Sequence, residues 1–179
     1  LVGCLMYAMV GTRPDIAFAV AYLARYVAKP SRRNFHQAKR VLRYLGSTSS
    51  QGLRFSKTTL PAEFRLSSYI DADWGRDQLT ARSTSGILVF LGPNILSWAS
   101  RQQKCVSLSS TEAEYVALSE GIREQLWIAR TLACLGLVQQ AIPVYEDNQG
   151  AIKLAANPVE HRCTKHIHIR YHFIREHIT

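Results

Sequence analysis

Three carboxylates carry the most specific chemistry in this sequence. Asp71 ends the run Ser68-Tyr69-Ile70-Asp71, Glu114 falls in the first turn of a long amphipathic segment, and Asp147 follows Pro143-Val144-Tyr145. Each stands where a strand ends or a helix begins, so one sheet with its helices can gather all three at an edge. Carboxylates that close repel one another and need a cation to offset the charge. Hard oxygen ligands suit Mg²⁺, or Mn²⁺, which keeps some water and completes its shell from a phosphate. Two such ions, roughly 3.5–4 Å apart, promote phosphodiester hydrolysis. Plainer readings stay open at this point. A strand-end Asp is commonly a turn or solvent-facing residue, and a Glu early in a helix complements the macrodipole.

The elements that would position these acids follow from periodicity. Beyond Arg65 the pattern is that of strands: Leu66–Ala72, Gly86–Leu91 and Ile95–Ala99, separated by turn residues such as Gly92-Pro93-Asn94. The longest helix is expected over Ser110–Leu135, opened by a capping box in Ser109-x-x-Glu112, with Tyr115, Leu118, Ile122, Leu126 and Ala129 as its apolar positions and Gly136 as its stop. A short strand at Pro143-Val144-Tyr145, a helix over Gln149–Ala156 and a last helical stretch over Ile167–His177 complete the series. Three strands, helix, strand, helix, helix is an α/β layout with a mixed sheet.

The first third reads differently. Pro14 and Pro30 bracket a helix over 14–28, and Ser31 can cap a second over 31–45. In that second helix Phe35, Ala38, Leu42 and Leu45 form an apolar face, while Arg32, Arg33, His36, Lys39, Arg40 and Arg43 spread over the rest. Gly46–Gly52 stops it, a short strand from Leu53 is expected next, and Thr58–Glu63 reads as a linker. Residues 1–57 hold ten Lys and Arg against the single acid Asp15, which accounts for the whole net charge of +9; the remainder sums to zero. So complete a separation implies two units, the first suited to a polyanion such as nucleic acid.

At 179 residues and 47% apolar composition the chain can bury one substantial core with a smaller one beside it. The longest apolar run, Ile16–Ala28, is broken by Arg25 and falls short of a membrane span. Cys4, Cys105, Cys134 and Cys163 form no C-x-x-C pair, so neither a disulfide framework nor a zinc ribbon is indicated, and a reducing compartment fits. His161, Cys163, His166, His168 and His172 match no common finger; on a basic helix, contact with a nucleic-acid backbone is the simpler reading. Trp74, Trp98 and Trp127 are expected in core or rim packing. An apolar pattern that starts at Leu1 reads as a piece of a longer protein.

Five motifs in order carry a resemblance. Tyr69-Ile70-Asp71-Ala72-Asp73-Trp74, Arg82-Ser83-Thr84-Ser85-Gly86, Ser97-Trp98 with Leu108-Ser109-Ser110-Thr111-Glu112-Ala113-Glu114-Tyr115, Asp147-Asn148-Gln149, and Lys165-His166-Ile167 with Arg170-Tyr171-His172-Phe173-Ile174-Arg175-Glu176 resemble the ribonuclease H region of copia-type retrotransposons. Upstream, Gly11-Thr12-Arg13-Pro14-Asp15-Ile16 and Ala38-Lys39-Arg40-Val41-Leu42-Arg43-Tyr44-Leu45 resemble the segment joining reverse transcriptase to that region. The resemblance implies a ribonuclease H-like mixed sheet flanked by helices over 65–179, preceded by a small helical segment over 1–57. It implies cleavage of the RNA strand of RNA/DNA hybrids during reverse transcription, with Mg²⁺ or Mn²⁺ as cofactor. The implied partners are the hybrid, held in part by Arg32, Arg33, Lys39, Arg40 and Arg43, and the rest of the polyprotein, with a cytoplasmic virus-like particle and the nucleus as places of action.

Within that resemblance Asp71 is the first acid and Asp73 its neighbour. Ala113-Glu114-Tyr115 is similar to the Ala-Glu-apolar pattern around the catalytic glutamate of related ribonucleases H, which assigns Glu114 to the site and Glu112 to the cap, and Asp147 is the third acid. A fourth is implied in a segment beyond Thr179, so the domain is expected to be incomplete at its C-terminus. His168 stands where the family usually has Asp or Glu. Two rival readings are kept: a truncated or decayed product that binds nucleic acid without cutting it, and another metal-dependent nuclease of the same fold, such as an integrase core, against which the ordered motifs argue.

Overall fold

A computed structural model describes residues 1–57, 64–77, 79–156 and 165–178, with the backbone alone for 165–168. The expected linker Thr58–Glu63 and the side chains of His161, Cys163, His166 and His168 lie outside the described residues. Two compact units are present, one comprising Leu1–Phe55 with Ala99–Arg101 and the other Ser56–Trp98 with Gln102–Thr179.

The first unit is helical. α1 (Val2–Gly11), a 3₁₀ turn at Pro14–Ile16, α2 (Ala17–Ala24) and α3 (Arg32–Ser47) enclose Leu5, Ile16, Val20, Leu23 and Ala38. α1 has no counterpart in the sequence reading: it is apolar almost throughout and lacks a side-chain cap, so neither period nor start signal marks it. The expected helix over 14–28 is shorter. Pro14 opens a 3₁₀ turn, and beyond Ala24 the N–H groups of Arg25, Tyr26 and Val27 bond back three residues rather than four, the tightening typical of a helix end. α3 runs two residues past its expected end. Ser31 caps it reciprocally with Asn34: the Asn34 N–H donates to Ser31 Oγ at 3.1 Å and the Ser31 N–H to Asn34 Oδ1 at 3.0 Å. Its inner face is Ala38, Val41 and Leu45; Phe35 and Leu42, expected to pack, are about half exposed. No strand forms over 53–57.

Arg13 ties this unit together. Its guanidinium grips Asp15 through two bonds of 2.9 and 2.7 Å and donates to the Thr48 carbonyl and hydroxyl at 3.1 and 2.6 Å, with the Tyr44 ring 5.5 Å away. The pair holds the Asp15 carboxyl below its usual range. One of the ten cations counted in the sequence is therefore engaged inside the protein.

The second unit is the mixed sheet flanked by helices that the strand and helix periods imply. β1 (Leu66–Asp73), β2 (Thr84–Leu91), β3 (Asn94–Gln102) and β4 (Val144–Tyr145) stand in the order β3-β2-β1-β4. β1 pairs antiparallel with β2, Asp71 opposite Gly86, and parallel with β4, Tyr69 opposite Tyr145. β2 outruns its expected bounds because Thr84 and Ser85 pair with Asp73 and Ala72 of β1 without the apolar alternation that marks a strand, and β3 runs on through Ser100-Arg101-Gln102, which lack that alternation as well. α4 (Ser110–Cys134) crosses the sheet, and α5 (Gln149–Ala156) and α6 (Lys165–His177) complete the layer around Ile70, Tyr115, Ala117, Leu118, Ile122 and Ile174. Arg170 on α6 donates to the Val116 carbonyl and Ser119 Oγ of α4 at 3.3 and 2.5 Å, and the Tyr115 and Tyr171 rings meet at 4.4 Å. Of the tryptophans expected in core or rim packing, Trp98 is half-buried, while Trp74 and Trp127 are 57% and 64% exposed and so lie outside the core. Indole is amphipathic enough to stay at a surface when its N–H has a partner.

The approach of α4 to β1 is set by Gly121. A Cβ there would lie 2.1 Å from Ile70 Cδ1 and 2.7 Å from its Cγ1. Replacing a mid-helix glycine by alanine ordinarily gains about 1 kcal/mol, whereas forcing extra volume into a packed core costs roughly 1–3 kcal/mol. Ile70 is 4% exposed in the core with Tyr115, Ala117, Leu118 and Ile122, and the Cγ1 that the new Cβ would meet lies near the root of its side chain, so the clash wins. Gly121→Ala is expected to lower unfolding stability by up to roughly 2 kcal/mol in urea titrations; a higher midpoint would show that the core yields.

Candidate active site

The three acids arrive from separate elements. Asp71 lies on β1 two residues from its end, Glu114 one turn into α4, and Asp147 just after β4, ahead of α5. One carboxylate oxygen from each lies within 4.8 Å of the other two. Asp71 and Asp147 are exposed, while Glu114 is 6% exposed and its Oε2 is buried without a hydrogen-bond partner. Glu114 is the fifth helical residue rather than one of the first turn, so the macrodipole does not account for it.

The neighbouring Glu112 is engaged elsewhere. Its N–H donates to Ser109 Oγ at 3.1 Å and its carboxylate accepts from the Leu108 N–H at 2.8 Å, one residue before the position of a regular capping box. Asp73 accepts from the Thr84 N–H across the ladder. Asn148 caps α5, its Oδ1 accepting from the Ala151 N–H at 3.0 Å, which fixes the residue beside Asp147. A Cβ on Gly150 would meet Thr111 Oγ1 at 2.7 Å, so the start of α5 approaches the first turn of α4 closely.

Electrostatics distinguish this cluster from an ordinary solvated acidic patch. Burial, followed by the charges of Glu146, Asp71 and Asp147, pushes Glu114 up to about 8, while a hydrogen bond from the Ala72 backbone works the other way. Glu146 is pushed up to about 7, chiefly by burial and then by Asp147 and Asp71, against the Asn148 N–H that donates to its Oε1 at 3.1 Å. Sequence reasoning missed Glu146. Nothing in the run Glu146-Asp147-Asn148 marks Glu146 as half-buried. Its Oε2 lies buried and without a partner, and the residue lines a cavity of about 550 Å³ together with Leu118, Ile122, Val144 and Ile152 among others.

These residues fit a divalent cation. Oxygen donors from three elements converge, one of them a buried carboxylate whose second oxygen has no protein donor, and the charges that raise Glu114 are the ones a cation offsets. The sign of the linkage follows. In metal-free protein the folded state holds protons on Glu114 and Glu146 that the unfolded chain has released above the ordinary carboxylate range. Stability therefore falls as pH rises from about 4.5 to about 8 and levels off beyond. Cation binding needs the ionised carboxylates and strengthens over the same window. In EDTA the melting temperature is expected to drop between pH 5 and 8.5, and the rise on adding Mg²⁺ is expected to be larger at pH 8.5. A Mg²⁺ response independent of pH would contradict this account.

The first unit presents its own candidate surface. Arg32, Arg33, Lys39, Arg40 and Arg43 are all exposed on α3, with Lys39 Nζ 4.7 Å from the Phe35 ring centroid. No acid lies within α3, so this positive face has no counter-charge on its own helix.

Comparison with known proteins places the chain. It is 45% identical over 175 residues, 98% of its length, to the retrovirus-related Pol polyprotein from transposon TNT 1-94 of Nicotiana tabacum. The chain belongs to the copia-type retrotransposon Pol family. This Pol segment spans 13% of the length of that tobacco relative. It is also 46% identical over 127 residues to the secreted RxLR effector protein 161 of Plasmopara viticola, covering 71% of this chain and 87% of that one. No protein-family model matches. Among solved structures, ribonuclease H1 from Halobacterium salinarum is similar over 63% of this chain and 75% of its own, at 17% identity and a TM-score of 0.42.

Proposed function

We propose that this Pol segment supplies the ribonuclease H activity of its element, cutting the RNA strand of RNA/DNA hybrids with Mg²⁺ or Mn²⁺. The observation that carries the reading is the meeting of Asp71, Glu114 and Asp147 within 4.8 Å, with Glu114 buried and one of its oxygens left without a partner. Asp71, Glu114 and Asp147 would hold the cation, which when bound supplies Lewis-acid stabilisation to a phosphodiester undergoing hydrolysis. The protein's own contribution is placement. β1 and α4, locked together through Ile70 and Gly121, fix Asp71 and Glu114, and the Asn148 cap fixes Asp147. Burial keeps water from solvating Glu114, which strengthens its attraction for a cation once ionised.

The residues 1–57 act in this reading as the basic connecting segment of reverse transcriptase, and 65–179 as the nuclease domain. Exposed Arg32, Arg33, Lys39, Arg40 and Arg43 neutralise phosphates of the hybrid without reading its sequence. The rest of the polyprotein is the physical partner, and the work takes place in a cytoplasmic virus-like particle and in the nucleus. No helix among the described residues is long and apolar enough to cross a membrane.

A product that binds nucleic acid without cutting it is the second reading, favoured by the exposed Arg32, Arg33, Lys39, Arg40 and Arg43, which can hold phosphates without the acidic cluster. A labelled RNA/DNA hybrid incubated with Mg²⁺ separates the two. The chain is compared with a longer Pol fragment that continues past Thr179. RNA-strand cleavage by either form supports the nuclease; tight binding with both strands intact in both forms supports the second reading.

A further inference from the structure

Trp74 stands out among the groups that the acidic cluster leaves unused. It follows Asp71 by three residues at the exit of β1, and its Nε1 donates to the Ser107 carbonyl at 3.0 Å, just before the Ser109 cap of α4. The indole is thus pinned between the two elements that deliver Asp71 and Glu114, yet 57% of the residue is exposed. Its position is preformed. Gly75, at φ +61°, turns the chain out of β1, and its N–H donates at 3.0 Å to Oγ of the buried Ser83. On the opposing loop the buried Gln103 donates to Ser85 Oγ and to the Ala113 carbonyl at 3.1 and 2.8 Å and accepts from Ser107 Oγ at 3.2 Å, which holds Ser107 in place.

The surroundings suit one kind of ligand. Val106 and Leu108, on either side of Ser107, are 48% and 82% exposed, which widens the apolar surface. Arg76 and Lys104 are exposed beside it in sequence on the two loops. A rigid aromatic face beside the acidic cluster, with the exposed Arg76 two residues from Trp74 and Lys104 three from Ser107, matches the chemistry of a nucleic-acid strand, whose sugars pack on aromatic faces and whose phosphates are anionic. A core role would bury the ring, and a solvated rim residue would not be held by its indole nitrogen between two loops.

We propose that Trp74, with Arg76 and Lys104, forms a stacking shelf that holds the hybrid beside the acidic cluster; Trp74 positions substrate and is not itself a reacting group. The inference rests on the nuclease reading for the identity of the ligand. Its test reads binding alone. In the full chain carrying Asp71→Asn, so that no strand is cut, anisotropy of an end-labelled RNA/DNA hybrid is measured for Trp74→Ala, Trp74→Leu and Trp74→Phe. The Ala and Leu variants are expected to bind about 2- to 10-fold more weakly, and Phe to retain most of the affinity, because packing against the strand's sugars needs a flat aromatic face rather than bulk. All three lose the bond to Ser107, so a loss confined to Ala and Leu cannot come from that bond.

Indole fluorescence gives an independent reading. Quenching by added hybrid is expected to persist in Trp127→Phe and to vanish in Trp74→Phe. Wild-type affinity in Trp74→Leu, together with an unchanged quench in Trp74→Phe, would overturn the shelf. A chain that binds and quenches while neither it nor its longer form cuts leaves the shelf standing and removes the nuclease. One that cuts with affinity untouched by Trp74→Leu removes the shelf alone.

Discussion

Asp71→Asn is expected to suppress hybrid cleavage by at least roughly 10²–10³-fold, the scale of losing one element of a preorganised electrostatic site, while raising the melting temperature of the metal-free protein above about pH 8, where Glu114 is ionised. The two effects run in opposite directions for one reason. Without a cation, Asp71 adds to the repulsion that pushes Glu114 up to about 8, so neutralising it relieves the folded state. With a cation, the same carboxylate is a ligand, and the amide replaces a charged donor by a weak neutral one. Melting curves in EDTA and in Mg²⁺ should therefore cross over: the variant more stable without the ion, wild type gaining more from it. A variant that loses activity and is also less stable in EDTA would point to a structural role for Asp71. One that loses nothing would remove the three-acid site. Asp73→Asn serves as the contrast, since Asp73 is tied to the Thr84 N–H.

The second large effect is expected from the first unit. Replacing Arg32, Arg33, Lys39, Arg40 and Arg43 together by Gln removes up to five phosphate contacts. Each contact contributes about 0.9 to the slope of log affinity against log salt on duplex DNA. Five would make the wild-type affinity fall by roughly 10²–10³-fold between 50 and 200 mM salt, and the variant should lose most of that dependence. The fold should survive, because all five side chains are exposed and the helix is held by Ala38, Val41 and Leu45 and by the Ser31–Asn34 cap. Arg13 is deliberately left intact, being bonded to Asp15 and Thr48. An unchanged salt slope would mean that the charge on α3 serves another partner.

The contrast between Arg13 and the five α3 cations shows where sequence reading stops. All are counted alike as positive charge, and only the folded chain separates one engaged inside from those displayed outside. Phe35 and Leu42 illustrate the same limit. Helical period places them on an apolar stripe with Ala38, but how wide a stripe is covered depends on how the neighbouring helices pack, and α1, which carries no readable signal, takes part in that packing.

The three acids were legible because each sits beside an element boundary that local chemistry announces: the alternating run into Asp71, the Ser109 cap before Glu114, the short apolar strand before Asp147. The family resemblance separated Glu114 from Glu112, and the cap explains physically why Glu112 is occupied. Glu146 and Trp74 were not legible. A strand's period of two says that neighbours face opposite ways, yet β4 ends at Tyr145, so the burial of Glu146 is set by α4 and α5 and not by local pattern. Trp74 reads as packing material in sequence because large aromatic rings usually are; its exposure is decided by Ser107, 33 residues away, which supplies the acceptor that holds the indole at the surface.

The sequence by itself thus determined the α/β order of the second unit and the basic character of the first, since propensity, period and charge are local properties; the choice of Glu114 beside Asp71 and Asp147 came from the resemblance. The tertiary structure decided which cations are displayed, the depth at which Glu114 lies, and the addition of Glu146 to its surroundings. Burial and electrostatic coupling are sums over residues far apart in the chain, and only folding brings those residues together.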